Sequence, residues 1–499
     1  GRIAVLEAGT GTGKSLAYLV PAAMWAMANE GKVAVSTYTI ALQAQLDTSD
    51  LPLMRRAGLD LTWAVVKGRS NYVCRRRLAE AVDAAEPGDP LAARLQAVAR
   101  WAESAEEGTR QDLAIPVDED LWDRIESDHD QTLRARCPHF DTCFYYQARR
   151  QAADAHVLVV NHALLLADLM VKGESGGEGV LPRYKRVVLD EGHHLEDAAT
   201  GLFQTRLTAR SITRAIAPLL DRKKRKGTLT KLRLRFAGAG SPLGPTMAGE
   251  LDKSIATLER LLPSLRKGAP EWLGQVGADA LAPPAEPTLR LTPAVTEAPL
   301  WRQQLRPTIA REGGRLSKAA SLLAKMEETL ASLDDKERTR EPQPLFDLAR
   351  ARRRLSGKAD ECASFTGESE DLVMWIEPAR DRRAAQPTAA LCSAPIDVGP
   401  MLRERVFDKL ESVVVTSATL TVHGRFDHLL SRVGLTPPAG GVEAAALGDA
   451  TAALAPADVD TAQFPSPFDY RRQALLGLPR DFPEPNHPRW RDWVARAVI

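Results

Sequence analysis

A glycine-rich segment close to the start of the chain has the residue types and the spacing of a phosphate-binding loop. It reads A-G-T-G-T-G-K-S over Ala8–Ser15, with an apolar run before it and a helical pattern after it. In such a loop backbone N–H groups and the helix N-terminus bind phosphates, the lysine reaches the β- and γ-phosphates, and the last hydroxyl can ligate Mg²⁺. The segment therefore predicts a nucleoside triphosphate site. Its predicted binding residues are Gly9, Thr10, Gly11, Thr12, Gly13, Lys14 and Ser15.

An acidic pair provides the partner that such a loop needs. The run R-V-V-L at Arg186–Leu189 predicts a buried strand, and Asp190 and Glu191 follow it directly. Asp190 would hold Mg²⁺ through water, Glu191 would activate the attacking water, and His193 would sense the γ-phosphate. Together with the loop, this pair predicts a nucleoside triphosphatase built on a parallel α/β sheet.

Three cysteines lie between these two motifs, and two more lie far from them. Cys74, Cys137 and Cys143 could offer soft thiolates to an iron–sulfur cluster or to zinc, whereas Cys362 and Cys392 are expected to be ordinary buried thiols. Basic and aromatic residues surround the first three, which is typical of a single-strand path. A solvated basic face over core aromatics remains the alternative. These residues are Arg75, Arg76, Arg77, Arg134, Arg136, Arg149, Arg150, Phe140, Phe144, Tyr145 and Tyr146.

The ordered set of motifs resembles the DinG/XPD group of superfamily 2 helicases. The string D-E-G-H at 190–193 is similar to the DEAH box, with Gly192 in place of alanine, a change that we expect to be sterically mild. Four further segments resemble motifs of the group. They are 33–46 (VAVSTYTIALQAQL, motif Ia), 67–74 (KGRSNYVC, the start of an iron–sulfur insertion), 161–165 (NHALL) and 413–420 (VVVTSATL, motif III).

This resemblance implies an activity and further site residues. It implies a DNA helicase, 5′→3′ in polarity, that hydrolyses ATP with Mg²⁺ to move along single-stranded or forked DNA in repair or replication. It also implies a [4Fe–4S] cluster, DNA contacts, and a link between the ATP site and the DNA path. The implied DNA-contacting residues are Ser36, Thr37, Thr39, Arg69, Arg75 and Arg136. The implied linking residues are Thr416, Ser417 and Thr419.

The sequence departs from the group at one expected cluster ligand. The group uses four cysteines, and here Thr132 stands where the cysteine five residues before Cys137 is expected. We favour a retained or labile cluster, with an exogenous fourth ligand or one supplied by Asp128, His129 or His139. An empty, degenerate site and a zinc site that includes His139 are the alternatives.

The length of 499 residues exceeds what one hydrophobic core usually supports, so several domains are expected. The resemblance implies an α/β fold: a RecA-like P-loop domain with an iron–sulfur insertion and a helical arch insertion, followed by the start of a second RecA-like domain. The expected boundaries are 1–66, 156–205 and 386–421 for the first motor domain, 67–155 for the iron–sulfur insertion, 206–385 for the arch and 422–499 for the second motor domain.

The remaining expectations concern partners and the chain ends. The net charge of +1 neither favours nor excludes nucleic acid. The basic run at 222–226 is more typical of a solvated loop, with DNA contact as the alternative. Without a membrane-length apolar run or a secretory signal, we expect a cytoplasmic protein with no membrane partner. The start at Gly1 and the absence of motifs V and VI suggest a piece of a longer motor. An RNA helicase or remodelling ATPase, and a non-catalytic nucleic-acid-binding protein, remain alternatives.

Overall fold

The computed structural model describes most of the chain, and its largest element is a parallel sheet. The described residues are 2–85, 88, 90–128, 132–175, 179–220, 227–238, 240–281, 288–334, 337, 343–379, 388–436, 459–473, 477 and 482–498. The expected basic run at 222–226 and His129 lie outside them. Seven strands, all parallel to their neighbours, follow the order β11-β1-β10-β5-β2-β4-β3. These strands are β1 (Arg2–Ala8), β2 (Val33–Thr37), β3 (Trp63–Val65), β4 (Val157–Asn161), β5 (Arg186–Asp190), β10 (Ser412–Ser417) and β11 (Val459–Phe464).

The central strands have apolar runs in their middle because helices cover both faces of the sheet, and their polar residues lie toward the strand ends. Successive side chains point to opposite faces, so Val33 and Val35 of β2 pack into one core cluster while Ala34 packs into the other. The covering helices are Lys14–Ala28, Ile40–Gln45, Leu51–Arg56, His162–Ser175, Leu195–Phe203, Gly399–Leu402 and Asp427–Arg432. The predicted α/β fold with a parallel sheet, as in RecA-like domains, is confirmed.

The parallel arrangement gathers the predicted motifs at one edge of the sheet. β1 leads into the phosphate loop, β2 into the motif Ia loop, β5 into Glu191, and β10 ends at Ser417. The register places Thr416 beside Asp190 and Ser417 beside Glu7. Ligands of open α/β sheets bind outside the carboxyl ends of the strands, so this edge is where a functional site is expected.

The cysteine-containing insertion has its own small core. Its buried apolar residues include Tyr72, Leu95, Trp122 and Phe144, which pack together in one cluster. Two isolated bridges, Tyr72 to Thr109 and Val73 to Glu126, close the insertion. Its α-helices are Arg75–Ala84, Pro90–Ser104, Glu119–Ile125 and Phe144–Asp154.

A helical region follows β5 and packs on a second, antiparallel sheet. The order of this sheet is β6-β9-β8-β7, formed by β6 (Thr205–Leu207), β7 (Leu289–Arg290), β8 (Leu372–Ala379) and β9 (Thr388–Pro395). Leucine and alanine stripes at helical spacing bury the long helices against one another. The helices of this region are Ala209–Ile216, Thr228–Phe236, Gly244–Ala280, Pro293–Glu297, Arg306–Ala331 and Gln343–Thr366. Tyr470–Gln473 and Trp490–Val498 are short helices near the end of the chain.

Two strands lie in different sheets from those that the expected boundaries imply. β9 falls in the range expected to belong to the first motor domain, but it pairs with β6 and β8 of the helical region. β11 falls in the range expected to begin a second motor domain, but it pairs in parallel with β1. The edge position beside β1 is taken by a strand of mixed polar and apolar residues, and neither expected boundary carries a sequence signal of its own. Among the described helices, none is long and apolar enough to cross a membrane.

Candidate functional site

The phosphate loop has the backbone conformation that its glycines permit. Gly11 and Gly13 have φ values of 81° and 76°, and Gly13 directly precedes the helix that begins at Lys14. Glycine adopts this left-handed region without steric penalty. The Thr12 hydroxyl donates to the Gly9 carbonyl at 2.8 Å and closes the turn.

The structure brings the predicted lysine and acidic pair together. Lys14 Nζ lies 2.7 Å from Glu191 Oε1 and 3.1 Å from Asp190 Oδ1. Burial alone would lower the pKa of Lys14, but the hydrogen bond that Lys14 donates to Glu191 and the charges of both carboxylates raise it. The lysine is therefore cationic, and phosphate oxygens would compete with the carboxylates for it.

Two residues that the sequence analysis missed complete the acidic end of the site. The Tyr18 hydroxyl donates to Asp190 Oδ2 at 3.0 Å, one turn after Lys14 on the same helix. Burial raises the pKa of Asp50, whose carboxyl also interacts with Ser15 and Asp190. Helical spacing could have indicated Tyr18, whereas no local motif marks Asp50.

The oxygen atoms around Ser15 fit a magnesium ion by their chemistry. Within the part of the chain that the structure describes, Asp50 Oδ2 is buried and accepts no hydrogen bond, and Asp190 Oδ1 is buried with the ion pair to Lys14 as its close polar contact. Ser15 hydrogen-bonds with Tyr18 and with Asp50. Carboxylate and hydroxyl oxygens are the ligands that Mg²⁺ prefers. Ser15 and Asp190, the predicted pair, therefore lie together with Asp50 as a third oxygen donor.

Glu191 has an unusual backbone and two polar partners. Its φ of 57° is in the left-handed region, which is uncommon for a residue with a side chain. Ser417 Oγ donates to Glu191 Oε2 at 3.0 Å, and His193 Nδ1 lies 2.6 Å from the same Ser417 Oγ. Burial would raise the pKa of Glu191, but Lys14 and Ser417 together hold it below its ordinary value. The carboxylate is thus ionised near neutral pH, which is the form that a general base requires.

Gly192 corrects the expectation that its replacement of alanine is mild. A Cβ at this position would lie 2.3 Å from Cγ1 of Val415, on the strand beside β5. Such a distance is far below contact, so an alanine would require Val415 to move. In this chain the close approach of β10 makes glycine the residue that fits.

The motif III residues occupy three different environments. Thr416 and Ser417 are buried at the end of β10, and Thr419 is exposed. Ser417 is the one that contacts the acidic pair, while the Thr419 backbone N–H donates to Ser417 Oγ at 3.4 Å. Ser417 therefore contacts the predicted base, and the linking roles of all three residues stay predictions.

The hydroxyls of Ser36 and Thr37 are engaged inside the protein, and the predicted DNA contact of these residues stays a prediction. Both are fully buried at the end of β2. Ser36 Oγ pairs with His162 Nδ1 at 2.7 Å, and the Thr37 hydroxyl donates to the Thr39 carbonyl at 3.3 Å. The hydroxyls of Ser36 and Thr37 thus point inward, and their hydrogen bonds stabilise the motif Ia loop. Thr39 is exposed, although its hydroxyl also caps the next helix by accepting from the Leu42 N–H.

Of the three predicted DNA-contacting arginines, two pack on aromatic rings of the insertion and one is exposed. The guanidinium of Arg69 lies 3.6 Å from the ring centroid of Tyr145, and that of Arg75 lies 4.2 Å from the centroid of Phe144. Arg75 also donates to the Thr142 carbonyl at 2.9 Å. Both arginines therefore help to build the insertion, whereas Arg136 is exposed and stays a predicted phosphate contact.

The cysteines of the insertion surround one small cavity. Cys74 and Cys143 directly precede the helices 75–84 and 144–154, and Cys137 follows a short 3₁₀ turn. All three line the cavity together with Thr132, whose hydroxyl lies 3.1 Å from that of Tyr146. Among the described residues, no group of three or more His, Cys, Asp or Glu has the geometry to hold a metal ion. The donor set of three thiols and one hydroxyl thus fits a cluster only in part.

Cys362 and Cys392 lie elsewhere, as expected. Both are buried in the helical region and its antiparallel sheet. Burial raises the pKa of each thiol to about 12, so both are neutral.

A charged cavity separates the cysteine insertion from the helical region. Arg210 donates to Asp123 at 2.7 Å, and Arg354 donates to Asp128 at the same distance. Arg214 pairs with Asp123 and with Glu126. These arginines come from the helical region and the carboxylates from the insertion, so ion pairs join the two across the cavity.

A segment after β11 lies on the phosphate loop and was not foreseen. The Ser466 hydroxyl donates to the Thr10 carbonyl at 2.8 Å, and the Gly9 N–H donates to the Phe464 carbonyl at 3.0 Å. A Cβ on Gly11 would lie 2.3 Å from the Phe468 ring. The absence of side chains at Gly9 and Gly11 therefore leaves room for this segment. The loop motif alone does not indicate this contact.

Comparisons with known proteins agree with the resemblance drawn from the motifs. The DEAD_2 family model matches residues 121–212. The chain is 28% identical over 442 residues to the 3′-5′ exonuclease DinG of Bacillus subtilis, covering 87% of this chain and 45% of that protein. It is 29% identical over 497 residues to the ATP-dependent DNA helicase YoaA of Escherichia coli, covering 98% and 64%. It is 30% identical over 461 residues to the ATP-dependent helicase DinG of Mycobacterium tuberculosis, covering 87% and 59%. The chain thus spans about half to two-thirds of the length of these relatives.

Proposed function

We propose, from the premise that this chain is DinG-like, that it carries the ATP-hydrolysing part of a DNA helicase. The observation that carries the proposal is the convergence of Lys14, Asp190, Glu191 and Ser417 at one edge of a parallel sheet. These residues provide a cation for phosphates, a metal-binding carboxylate, a base and a neighbour that fixes the base. That combination suits phosphoryl transfer to water.

In the proposed reaction each side chain has a separate task. The backbone of residues 9–13 and Lys14 would bind the phosphates, and Ser15 with Asp190 would hold Mg²⁺. A bound Mg²⁺ neutralises charge on the phosphate oxygens. Glu191, kept ionised by Lys14 and oriented by Ser417, would accept the proton of the attacking water. His193, which contacts Ser417, is proposed to respond to the γ-phosphate.

The proposed substrate is single-stranded or forked DNA. The protein, which we propose to be cytoplasmic, would move along a DNA strand in the 5′→3′ direction. Supporting features are the exposed Thr39 at the motif Ia loop, the exposed Arg136, and the arginine-lined cavity between the insertion and the helical region. One relative, YoaA of Escherichia coli, is named an ATP-dependent DNA helicase. Arginines that now pair with carboxylates across the cavity could instead bind phosphates.

We also propose the division of the chain into a first motor domain, a cysteine insertion and a helical arch. The separate cores of these three regions support the proposal. The first motor domain would include β11, and a second motor domain would begin after Phe464. The cysteine insertion would hold an iron–sulfur cluster on Cys74, Cys137 and Cys143, with the fourth position next to Thr132.

The proposal is tested by ATP hydrolysis with and without nucleic acid. Purified protein with Mg²⁺ and ATP is assayed alone, with single-stranded DNA and with single-stranded RNA of matched sequence. Stimulation by DNA above that by RNA is expected. Equal or greater stimulation by RNA would favour an RNA helicase, and hydrolysis that no nucleic acid alters would contradict the proposal. A strand-displacement assay on forked duplexes with 5′ or 3′ overhangs tests polarity.

A further inference from the structure

An exposed aromatic ring begins a continuous line of contacts toward the acidic pair. Tyr38 directly follows β2, and 41% of its surface is exposed. Its ring is stacked on that of His194, with centroids 3.7 Å apart and planes inclined by 16°. The His194 ring lies 3.9 Å from the His193 ring, centroid to centroid. The proposed function uses neither Tyr38 nor His194, so the purpose of this stack is unassigned.

The line continues through hydrogen bonds whose direction can be worked out. Ser417 Oγ has a single hydrogen, which it donates to Glu191 Oε2 at 3.0 Å. Its bond with His193 Nδ1, at 2.6 Å, must therefore be one in which His193 donates and Ser417 accepts. A shift of the His193 ring would reorient the Ser417 hydroxyl. It would thereby change the position of the carboxylate that Ser417 holds.

The base of the Tyr38 loop is fixed on the other side. His162, buried at the end of β4, pairs with Ser36 and lies with its ring centroid 6.4 Å from that of Tyr38. Ser36 and Thr37 are fully buried. The backbone before Tyr38 is therefore anchored to the sheet, while the ring of Tyr38 contacts His194.

The exposed part of the Tyr38 ring suits a nucleobase. One face is covered by His194, and base–aromatic stacking on an exposed ring is independent of base identity. The neighbouring Ile40 is 43% exposed and extends the apolar surface of the loop. Tyr38 also stands beside Thr39, the one hydroxyl residue of the predicted motif Ia contacts that is exposed.

We propose that Tyr38 and His194 are positioning residues that couple DNA to the ATP site. A base of single-stranded DNA stacked on Tyr38 acts on Glu191 through His194, His193 and Ser417. This inference rests on the proposed function, because it takes single-stranded DNA as the ligand and Glu191 as the base. By thermodynamic reciprocity, nucleotide bound at the phosphate loop must alter DNA affinity through the same contacts.

The test measures that reciprocal coupling in the full chain. The dissociation constant of a fluorescent oligo-dT is measured without nucleotide and with a non-hydrolysable ATP analogue and Mg²⁺. The ratio of the two constants is the coupling factor, which is typically about 5 to 150 in allosteric proteins. Tyr38→Ala and His194→Ala are expected to bring this factor within about twofold of 1, a loss of most of that typical coupling. Tyr38→Phe, which keeps the ring, is expected to retain it.

Two further measurements separate coupling from folding and from simple loss of DNA contact. Binding of the ATP analogue alone is expected to be unchanged in Tyr38→Ala, because the ring contacts of Tyr38 are with His194 and His162 and not with the predicted phosphate-binding residues. Ile40→Ala removes an exposed side chain from the same loop outside the stack. It is expected to change DNA affinity equally with and without nucleotide, so its coupling factor should match that of the wild type.

The outcomes distinguish this inference from the proposed function. A wild-type coupling factor that persists in Tyr38→Ala and His194→Ala would overturn the inference and leave the proposed function intact. Loss of as much coupling in Tyr38→Phe as in Tyr38→Ala would overturn the inference in the same way. A wild-type protein that does not bind oligo-dT at all would contradict the proposed function, and the inference with it.

Discussion

The nucleotide site and the cysteine site differ in what positions their side chains. Lys14 begins the helix that follows β1, and Asp190 and Glu191 come at the end of β5, with only β10 between these two strands of the seven-stranded sheet. The charges of the three residues pair with one another. Cys74 and Cys143 stand at the starts of two helices in an insertion with a small core of its own. The first site is organised by the topology of the sheet. The second depends on loops and helix starts, which local changes displace more easily.

The two sites also differ in how they fare without a ligand. In the nucleotide site the cation and the carboxylates satisfy one another. In the cysteine site burial raises the pKa of Cys143, so its thiol is neutral unless a metal displaces the proton. The nucleotide site is therefore built in advance, whereas the order of the cysteine site is coupled to what binds there. Each half of that contrast can be tested by substitution.

Removal of Lys14 should have the largest effect. Lys14→Ala leaves Asp190 and Glu191 without their cation and takes a donor from the phosphates. ATP hydrolysis is expected to fall by about 10³-fold or more, the scale on which a cationic group acts in phosphoryl transfer. Affinity for single-stranded DNA should be largely retained, since Lys14 is not at the proposed DNA surface.

Lys32→Ala is the matched control for Lys14→Ala. Lys32 donates to the carbonyls of Ala153 and Ala155 next to the start of β2, at the opposite edge of the sheet. Hydrolysis close to the wild-type rate is expected for this variant. If Lys14→Ala hydrolysed ATP as fast as Lys32→Ala does, the assignment of the nucleotide site would be wrong.

Glu191→Gln should separate binding from hydrolysis. The amide keeps the shape and can still accept from Lys14 or Ser417, but it cannot take a proton from water. A rate loss of about 10²–10⁴-fold is expected, the usual contribution of a general base, with nucleotide binding preserved. Single-turnover hydrolysis and nucleotide titration check the two parts.

Glu196→Gln is the control for Glu191→Gln, because Glu196 lies nearby and pairs with Arg432 outside the site. Its hydrolysis rate should stay near that of the wild type. Loss of ATP binding in Glu191→Gln would show that Glu191 maintains the structure of the site and does not act as its base.

The stability of iron in the cysteine site should depend on the residue at position 132. Protein purified without oxygen is expected to contain iron and to be brown. Thr132→Cys would add a fourth thiolate, and iron loss in air is expected to slow by about tenfold or more, by the scale on which ligand surroundings change metal affinity. Metal analysis and visible absorbance over time measure this.

Cys137→Ser should abolish the iron, while Cys392→Ser, which alters a buried thiol in the antiparallel sheet, should leave it unchanged. Zinc in place of iron, or no metal after anaerobic purification, would contradict the proposed cluster. The contrast between the two sites would then change, since the cysteine cavity would be a vestige without a ligand.

The positions that the parallel sheet determines could be predicted from the sequence, whereas burial and tertiary contacts could not. Strand–loop–helix spacing was enough to place Lys14 and the acidic pair, because a parallel sheet brings strand ends together whatever the intervening chain contains. Burial could not be read from motif Ia, so Ser36 and Thr37 were assigned to DNA although they point inward. Asp50 lies in no motif and reaches Ser15 only through tertiary packing.

Contacts between distant segments were the other part that the sequence did not reveal. Phe468 lies against the phosphate loop after more than four hundred residues of chain, and Val415 requires a glycine at 192. Neither contact has a local pattern. The strand β11 likewise falls in the range 422–499 that was expected to begin a second domain, because a short strand sequence does not show which sheet edge it joins.

The carboxylate of Glu7 connects β1 to the segment after β10 and to β11. Of the substitutions considered, its replacement should have the smallest effect. It accepts from the backbone N–H groups of Leu420 and Thr421 at 2.6 and 2.7 Å and from the Gln463 amide at 3.0 Å. Burial opposes its ionisation, but these hydrogen bonds outweigh burial and hold the pKa of Glu7 below its ordinary value.

Because the carboxylate of Glu7 is favoured in the folded state, its contribution is present above the ordinary glutamate pKa of about 4.3 and is lost as the pH falls through the lowered value. Glu7→Gln should reduce the free energy of unfolding by about 1 kcal/mol near pH 7, a typical loss for hydrogen bonds to a partly exposed charge. The difference should persist down to about pH 5 and vanish well below the ordinary pKa. Urea unfolding of both proteins across this range measures it.

Glu411→Gln is the control, since Glu411 is exposed and pairs with Lys185 at the other end of β10. A deficit in Glu7→Gln that remained in acid would mean that shape, and not charge, fastens β1 to its neighbours, and that the nucleotide site is less dependent on preset electrostatics than the comparison with the cysteine site implies.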